Sequence, residues 1–382
     1  MCLIKHNDVN ILHICSYYEN VLYENLVKAL QKKDINNEVY VFLSKETRGT
    51  SNINTTDINV RLSYCYNKFE RFFFHLKHMK VLNDFVASYE GRISSFDCLF
   101  AHSLFSNGYI AYKAKEMWKI PYVVMVQNTD INVFFKYMKH LKSLAISIIK
   151  NADKVIFASE TYRQMVLDNY IPDEGKTDFI NKAVVVPYGI DDFYYSNMHK
   201  NDDNNSKKNN EEIVLTVGTV CRNKNQLLLA KAINLLNNEG HNIRLIAIGD
   251  VGERNILEKL LCYSFVEYID FIPKENLIEY YNKADVFALP SIYETFGLVY
   301  AEALSQGCPV LYSKGQGFDK QFVNGDVGYS VISNDFHDIA QKLELILQDK
   351  PAKENCIQKS EKFRWKHIAR TYIGLFANIC TK

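Results

Sequence analysis

The chain has 382 residues, a formal net charge of +1 and 47% apolar residues. That length exceeds one ordinary core and points to two or three packed domains. The near-zero charge excludes a bulk electrostatic footprint for nucleic acid, so any charge-driven partner must be met by a local patch.

The N-terminal stretch MCLIKHNDVNILHICSYY lacks the long apolar core of a secretory signal, and no run approaches the length of a membrane span. The nine cysteines are scattered from Cys2 to Cys380 without a C-x-x-C pair. Such a set fits buried thiols in a reducing compartment and excludes a readable zinc ribbon. A cytoplasmic location is expected, in solution or at the inner face of a cell membrane.

Short apolar runs then alternate with longer helical patterns. VNILHIC leads to VLYENLVKALQKK and NEVYVFL; FDCLFAHS leads to GYIAYKAKEMWK and IPYVVMVQN; ADKVIFAS leads to ETYRQMVLDNY and KAVVVPYGI. This rhythm predicts a doubly wound parallel sheet, and continuously apolar runs such as YVVMV suit strands buried on both faces. NMHKNDDNNSKKNNEE, residues 197–212, is almost wholly polar and reads as a flexible linker. Beyond it the rhythm restarts with EIVLTVG, NQLLLAKAINLLNNEG and IRLIAIGD, and continues to DVFALPS and PVLYS. The expected organisation is α/β: a Rossmann-like domain at 1–196, the linker at 197–212, a second Rossmann-like domain at 213–360 and a closing helix at 361–382. That closing segment places Phe363, Ile368, Tyr372 and Phe376 roughly on one helical face.

In open α/β sheets, ligands lie outside the carboxyl ends of the strands. The stretch PSIYETFGLVYAEALSQGCPVL, residues 290–311, follows DVFAL at such an end. Gly297 lets the backbone approach a ligand, and the helix LVYAEALSQ then offers free N–H groups and a positive dipole end to a phosphate. Glu294 lies before this helix and Glu302 about two turns along it, with seven residues between them. Carboxylates accept hydrogen bonds from hydroxyls and not from phosphates. A phosphate cradle between two such carboxylates describes a nucleotide sugar. The bland alternative is two ordinary helix charges, because spacing alone is weak.

The pattern P-S-x-x-E-x-F-G-L-x-x-x-E-A-x-x-x-G-x-P-V resembles the E-x7-E signature of glycosyltransferase family 4. VGTVCRNKNQ is similar to that family's phosphate loop, with Gly218 and Lys224 in place; LIAIGD, VVVPYGID, LFAHSLFSNGYIA and FRWKHIARTY extend the likeness over most of the chain. The resemblance implies a GT-B fold: two Rossmann-like domains facing a central cleft, the first on the acceptor side, the second binding the nucleotide sugar, and the last helix crossing back to the first. It implies a metal-independent, retaining transfer of a sugar from a nucleotide-diphospho-sugar to an acceptor glycan or lipid-linked glycan, in bacterial surface polysaccharide synthesis. No cofactor or metal is expected, and no D-x-D pair occurs. Glu294, Lys224 and His102 are the implied catalytic residues. Glu302, Gly297, Leu298, Phe296, Gly218, Thr219, Arg222 and Gln127 are the implied donor-binding residues, with Glu302 on the ribose and Lys224 on the diphosphate.

The sequence departs from the family pattern at several positions. Thr219 stands where the phosphate loop usually has Arg, so Arg222 is a candidate replacement; Gln127 stands where His is frequent; Tyr188 replaces Asn in P-N-G-I-D; and Ser16 and Tyr17 replace a Gly-Gly loop. Asp130 reads as a cleft residue or a cap. These departures leave two further readings open, a non-catalytic sugar-nucleotide-binding partner subunit and a nucleotide-sugar 2-epimerase. Two segments mix basic and aromatic residues, 67–82 and 133–150. They suit peripheral contact with an anionic membrane, or else bury their apolar stripes in their own core.

Overall fold

The computed structural model describes residues 9–50, 52–53, 55–198 and 211–380. Its contacts divide into two compact units, the first within Met1–Ala158, Tyr162–Gly189 and Trp365–Lys382, the second within Ser159–Thr161 and Ile190–Arg364.

The first unit is built on seven parallel strands: β1 (Asn10–Ile14), β2 (Asn36–Ser44), β3 (Asn59–Tyr66), β4 (Cys98–Ala101), β5 (Tyr122–Val126), β6 (Lys154–Phe157) and β7 (Ala183–Val185). Their order is β3-β2-β1-β4-β5-β6-β7, so the winding reverses between β1 and β4. The run YVVMV became β5 and is buried at all five positions, as a central strand covered on both faces must be.

The second unit has six parallel strands: β8 (Glu212–Val217), β9 (Ile243–Ile248), β10 (Val266–Ile269), β11 (Val286–Leu289), β12 (Val310–Ser313) and β13 (Gly328–Val331). Their order, β10-β9-β8-β11-β12-β13, reverses between β8 and β11. Each reversal opens a crevice at the carboxyl edge, where no helix crosses over both strands. The two-unit, doubly wound α/β architecture expected from the strand–helix rhythm is present.

Two boundaries differ from the sequence expectation. Residues 190–196 cluster with the second unit, because Tyr194 and Tyr195 are buried there and Tyr195 Oη donates to the Ser360 carbonyl at 2.7 Å. The closing helix runs Trp365–Cys380 and belongs to the first unit, where Tyr372 and Phe376 lie 5.3 and 5.9 Å from the Phe100 ring. Phe363, expected on that helix, instead sits in the preceding turn and packs on Phe296 and Phe318 of the second unit. Residues 199–210 of the expected linker lie outside the described residues.

Candidate active site at the carboxyl edge of the second sheet

The edge between β8 and β11 is assembled from two loops. The first leaves β8 at Gly218 and runs through Thr219 to a short turn at Arg222–Lys224. Asn225 ends it in the left-handed region (φ 62°) and opens the helix Gln226–Asn238. Asparagine tolerates that conformation better than most residues. Its side-chain amide donates to the carbonyls of Pro290 (3.0 Å) and Ser333 (2.5 Å). Asn223 donates to the Tyr293 carbonyl at 3.0 Å and accepts from the Tyr293 amide at 3.1 Å. The two asparagines therefore stitch the first loop to the second, Pro290–Gly297, and fix Lys224 between them.

That stitching sets the central contact: Lys224 Nζ lies 2.7 Å from Glu294 Oε2, across 70 residues of sequence. Ser291 Oγ is 3.3 Å from the same oxygen. The Glu294 backbone is pinned as well, its N–H donating to Gln316 Oε1 at 3.0 Å and its carbonyl accepting from Gly317 N at 2.9 Å. The pair is partly exposed, Lys224 at 25% and Glu294 at 12%, so it is oriented by the loops yet open to a solute.

Gly297 follows with φ 77° and caps the helix Leu298–Ser305. A Cβ there would lie 2.3 Å from the Tyr300 ring, so the position requires glycine on both conformational and steric grounds. Tyr300 is locked in turn by its hydroxyl, 2.5 Å from the Leu289 carbonyl at the end of β11. The free N–H groups at the head of this helix open at the same edge as Lys224. Gly249 is constrained similarly on the other side: with φ 143°, a Cβ would meet the Gly218 carbonyl oxygen at 2.5 Å. The loop after β9 thus presses against Gly218, and Thr219 is left exposed.

Glu302 lies further along the helix. Tyr281 Oη donates to it at 3.1 Å, Tyr194 adds a second hydroxyl, and the Lys274–Asp191 ion pair stands nearby. Burial among these rings raises its pKa to about 7, only partly offset by the two hydroxyls. Sequence reasoning missed Tyr281, Tyr194, Asn223, Asn225 and Gln316, because folding brings them in from outside the motif: the two tyrosines from separate helices, the two asparagines from the loop after β8 and Gln316 from the loop after β12. Arg222 is exposed, with its backbone N–H on Glu253 Oε1 at 2.8 Å. Phe296, an expected donor-binding residue, is 1% exposed and its ring packs on Phe318 and Phe363.

The corresponding edge of the first sheet is filled rather than open. His102, just past β4, has no accessible surface and stacks on Phe100 at 4.2 Å. Its Nε2 meets His13 Nδ1 at 2.9 Å, and His13 Nε2 meets Asn37 Oδ1 at 2.9 Å. Asn37 Nδ2 donates to the Ile35 carbonyl, which orients the amide. His13 Nε2–H must then donate to Oδ1, so His102 Nε2–H donates to His13 and His102 Nδ1 keeps a lone pair. Desolvation holds both rings neutral, with the pKa of His13 lowered to about 4 and that of His102 well below the ordinary histidine value. This placement, a ring without surface and with its only N–H committed, suits support of the strand end and speaks against the catalytic role expected for His102.

Gln127 is also committed. Its Nε2 donates to the His102 carbonyl at 3.1 Å and its Oε1 accepts from Tyr188 Oη at 2.6 Å. Two departures from the family pattern, Gln127 and Tyr188, are therefore two ends of one hydrogen bond. Asp130 accepts from the N–H groups of Leu104, Phe105 and Gln127 at 2.9, 3.1 and 2.8 Å. It ties together the loops after β4 and β5, with burial raising its pKa to about 6.

Comparison with known proteins decides the family. The model described as glycosyl transferases group 1 matches residues 197–363, and that described as glycosyltransferase family 4 matches residues 20–192. The chain belongs to the family 4 glycosyltransferases. Among curated relatives, this transferase is 23% identical to an uncharacterised glycosyltransferase of Methanocaldococcus jannaschii over 299 residues, 74% of this chain and 76% of the relative. Among solved structures it matches the lipopolysaccharide outer core galactosyltransferase WaaB in its apo form, at a TM-score of 0.74 and 15% identity over 97% of this chain and 99% of that one. It also matches HepE of Anabaena in complex with UDP, at 0.71 and 17% identity over 97% and 100%. The transferase has the GT-B fold.

Proposed function

We propose that this glycosyltransferase moves a sugar from a nucleotide-diphospho-sugar to an acceptor glycan or lipid-linked glycan, with retention of anomeric configuration, in bacterial surface polysaccharide synthesis. The single observation that carries the proposal is the Lys224–Glu294 pair, 2.7 Å apart beside the Gly297-capped helix at the switch point of the second sheet. The UDP held by HepE and the lipopolysaccharide role in the name of WaaB are in keeping with it.

In this reaction the bond from the anomeric carbon to the diphosphate oxygen breaks. A bond to an acceptor oxygen forms on the same face, and the acceptor proton leaves with the diphosphate. Negative charge grows on the leaving group while the sugar becomes oxocarbenium-like. Lys224 and the N–H groups at Gly297 and Leu298 would meet that charge, and fixed donors of this kind need no reorganisation at the transition state. A diphosphate that takes Lys224 releases Glu294, whose carboxylate can then accept hydrogen bonds from sugar hydroxyls. Gly218, Thr219 and Arg222 line the diphosphate side, and Glu302 receives the ribose. The protein's own cations do the work that a metal ion does elsewhere, so no metal is required.

The test is a panel of nucleotide sugars incubated with and without acceptor, following nucleoside diphosphate release with mass detection of products. Acceptor-dependent release supports transfer. An isomerised donor with the nucleotide sugar conserved would indicate an epimerase, and neither product would indicate a binding subunit.

A further inference from the structure

The segment Lys68–Met79 of the first unit is folded inside out. In the run KFERFF, the charged Glu70 is turned inward at 9% exposure. There it accepts from the Asn67 N–H at 2.9 Å and pairs with Lys80. Its apolar neighbours are turned outward: Phe69 is 69% exposed, Phe72 65% and Phe73 51%. Leu76 and Met79 continue this exposed face along the helix Phe74–Tyr89. That helix already has a core face, with His78, Val81, Phe85 and Tyr89 buried. The exposed face is therefore a second apolar surface, and contiguous patches of this kind mark interaction sites. The rings rest on one another rather than on the core, Phe69 lying 5.5 Å from Phe73 and 6.1 Å from Phe72.

The charges beside this patch are mainly positive. The Arg71 guanidinium covers the Phe72 ring at 4.8 Å. Lys68 and Arg71 line a concavity of about 400 Å³ with Ser44, Thr47 and Tyr66; the one acid there, Glu46, accepts the Lys68 N–H at 2.9 Å. The second basic-aromatic segment adjoins the first through the Phe74–Phe134 ring contact at 6.1 Å. Its apolar stripe is buried in the core at Phe135 and Leu141, whereas Lys136, Tyr137, Lys139 and Lys142 stay exposed.

We propose that the first unit docks on an anionic phospholipid bilayer, with Phe69, Phe72, Phe73, Leu76 and Met79 entering the interface and Lys68, Arg71, Lys136, Lys139 and Lys142 meeting the headgroups. Aromatic rings partition to the headgroup level and cations add attraction to anionic lipid. A second copy of the chain fits less well, because a two-fold contact would bring the same cations face to face. The surface is independent of the donor site, and its occupancy can be read without turnover.

The test is sedimentation of the full chain with phosphatidylcholine vesicles, with and without phosphatidylglycerol. Wild type should pellet with the anionic vesicles and be released by salt, while its melting temperature stays unchanged by salt. Phe69→Ser/Phe72→Ser/Phe73→Ser and Lys136→Glu/Lys139→Glu/Lys142→Glu should each lower partitioning by roughly tenfold or more. Phe69→Ser alone, at the most exposed ring, guards against a folding defect in the triple variant and should give a smaller loss in the same direction. Failure of wild type to bind anionic vesicles would overturn the proposal, as would wild-type binding by the aromatic variants. A dimer in light scattering that the aromatic substitutions dissolve, without vesicle binding, would assign the patch to a second copy and also overturn it. Acceptor-dependent donor turnover with a soluble acceptor should persist in all three variants, so the outcome is separable from the donor-site proposal.

Discussion

The two sheets share a winding scheme but use their switch points in opposite ways. Between β8 and β11 the carboxyl edge presents an oriented ion pair, a glycine in the left-handed region and the head of a helix, all partly open. Between β1 and β4 the same edge is plugged by a buried chain of Asn37, His13 and His102, backed by the Gln127–Tyr188 bond and the Asp130 cap. Topology provides the crevice, and the side chains decide whether it is a reactive site or a support. Polar residues at a strand end do not by themselves mark chemistry: those in the first unit bond mainly to one another, with the buried His102 Nδ1 left over, while the Lys224–Glu294 pair in the second is partly exposed.

The largest effect that would sharpen this contrast is expected at Lys224. In the proposed reaction Lys224→Ala would take the fixed cation from the leaving diphosphate, and it should lower turnover about a hundredfold, roughly 3 kcal/mol, with the melting temperature little changed. Steady-state kinetics beside a thermal melt check it, and near-wild-type turnover would break the comparison. Gly297→Ala comes next. Left-handed strain of about 1–2 kcal/mol adds to the clash with Tyr300, so the melting temperature should fall together with activity.

Glu302 offers a pH-dependent test. Its pKa in the folded protein is about 7 against an ordinary 4.5. Between those values the folded chain holds a proton that the unfolded chain releases, so this group's contribution to stability falls as pH rises through the window. Donor binding should run the other way, because an ionised carboxylate accepts ribose hydroxyls better. The apparent KM for donor should fall as pH rises through about 7, and Glu302→Gln should flatten both dependences. The smallest expected effect is that of EDTA, which should leave turnover unchanged; a strict requirement for added Mn²⁺ or Mg²⁺ would contradict charge neutralisation by Lys224.

Much of the second unit was legible beforehand, because a motif with fixed spacing on one strand–loop–helix carries its geometry with it. Glu294, Gly297 and Glu302 lie within one such segment, and resemblance supplied Lys224 from another. What held Lys224 in place was not legible: Asn223 and Asn225 read as loop residues until their amides met carbonyls more than sixty positions away. The first unit was legible as a fold but not as a site. His102 looked like an isolated strand-end histidine because parallel register, which sets His13 opposite Phe100 and close to His102, is not written in either segment. The basic-aromatic segments showed their period but not their direction. Glu70 reversed the first by turning inward, and the core took the apolar stripe of the second.

The most direct test compares the two edges within one protein. Turnover and melting temperature would be measured for Glu294→Gln and His102→Gln, each replacement preserving a polar side chain of similar reach. Glu294→Gln should lose about a hundredfold in kcat with an unchanged melt. His102→Gln should lower the melting temperature while the remaining folded protein keeps kcat within a few-fold. Full activity in Glu294→Gln, or a hundredfold loss in a His102→Gln protein that melts like wild type, would contradict the assignment of chemistry to the second unit and support to the first.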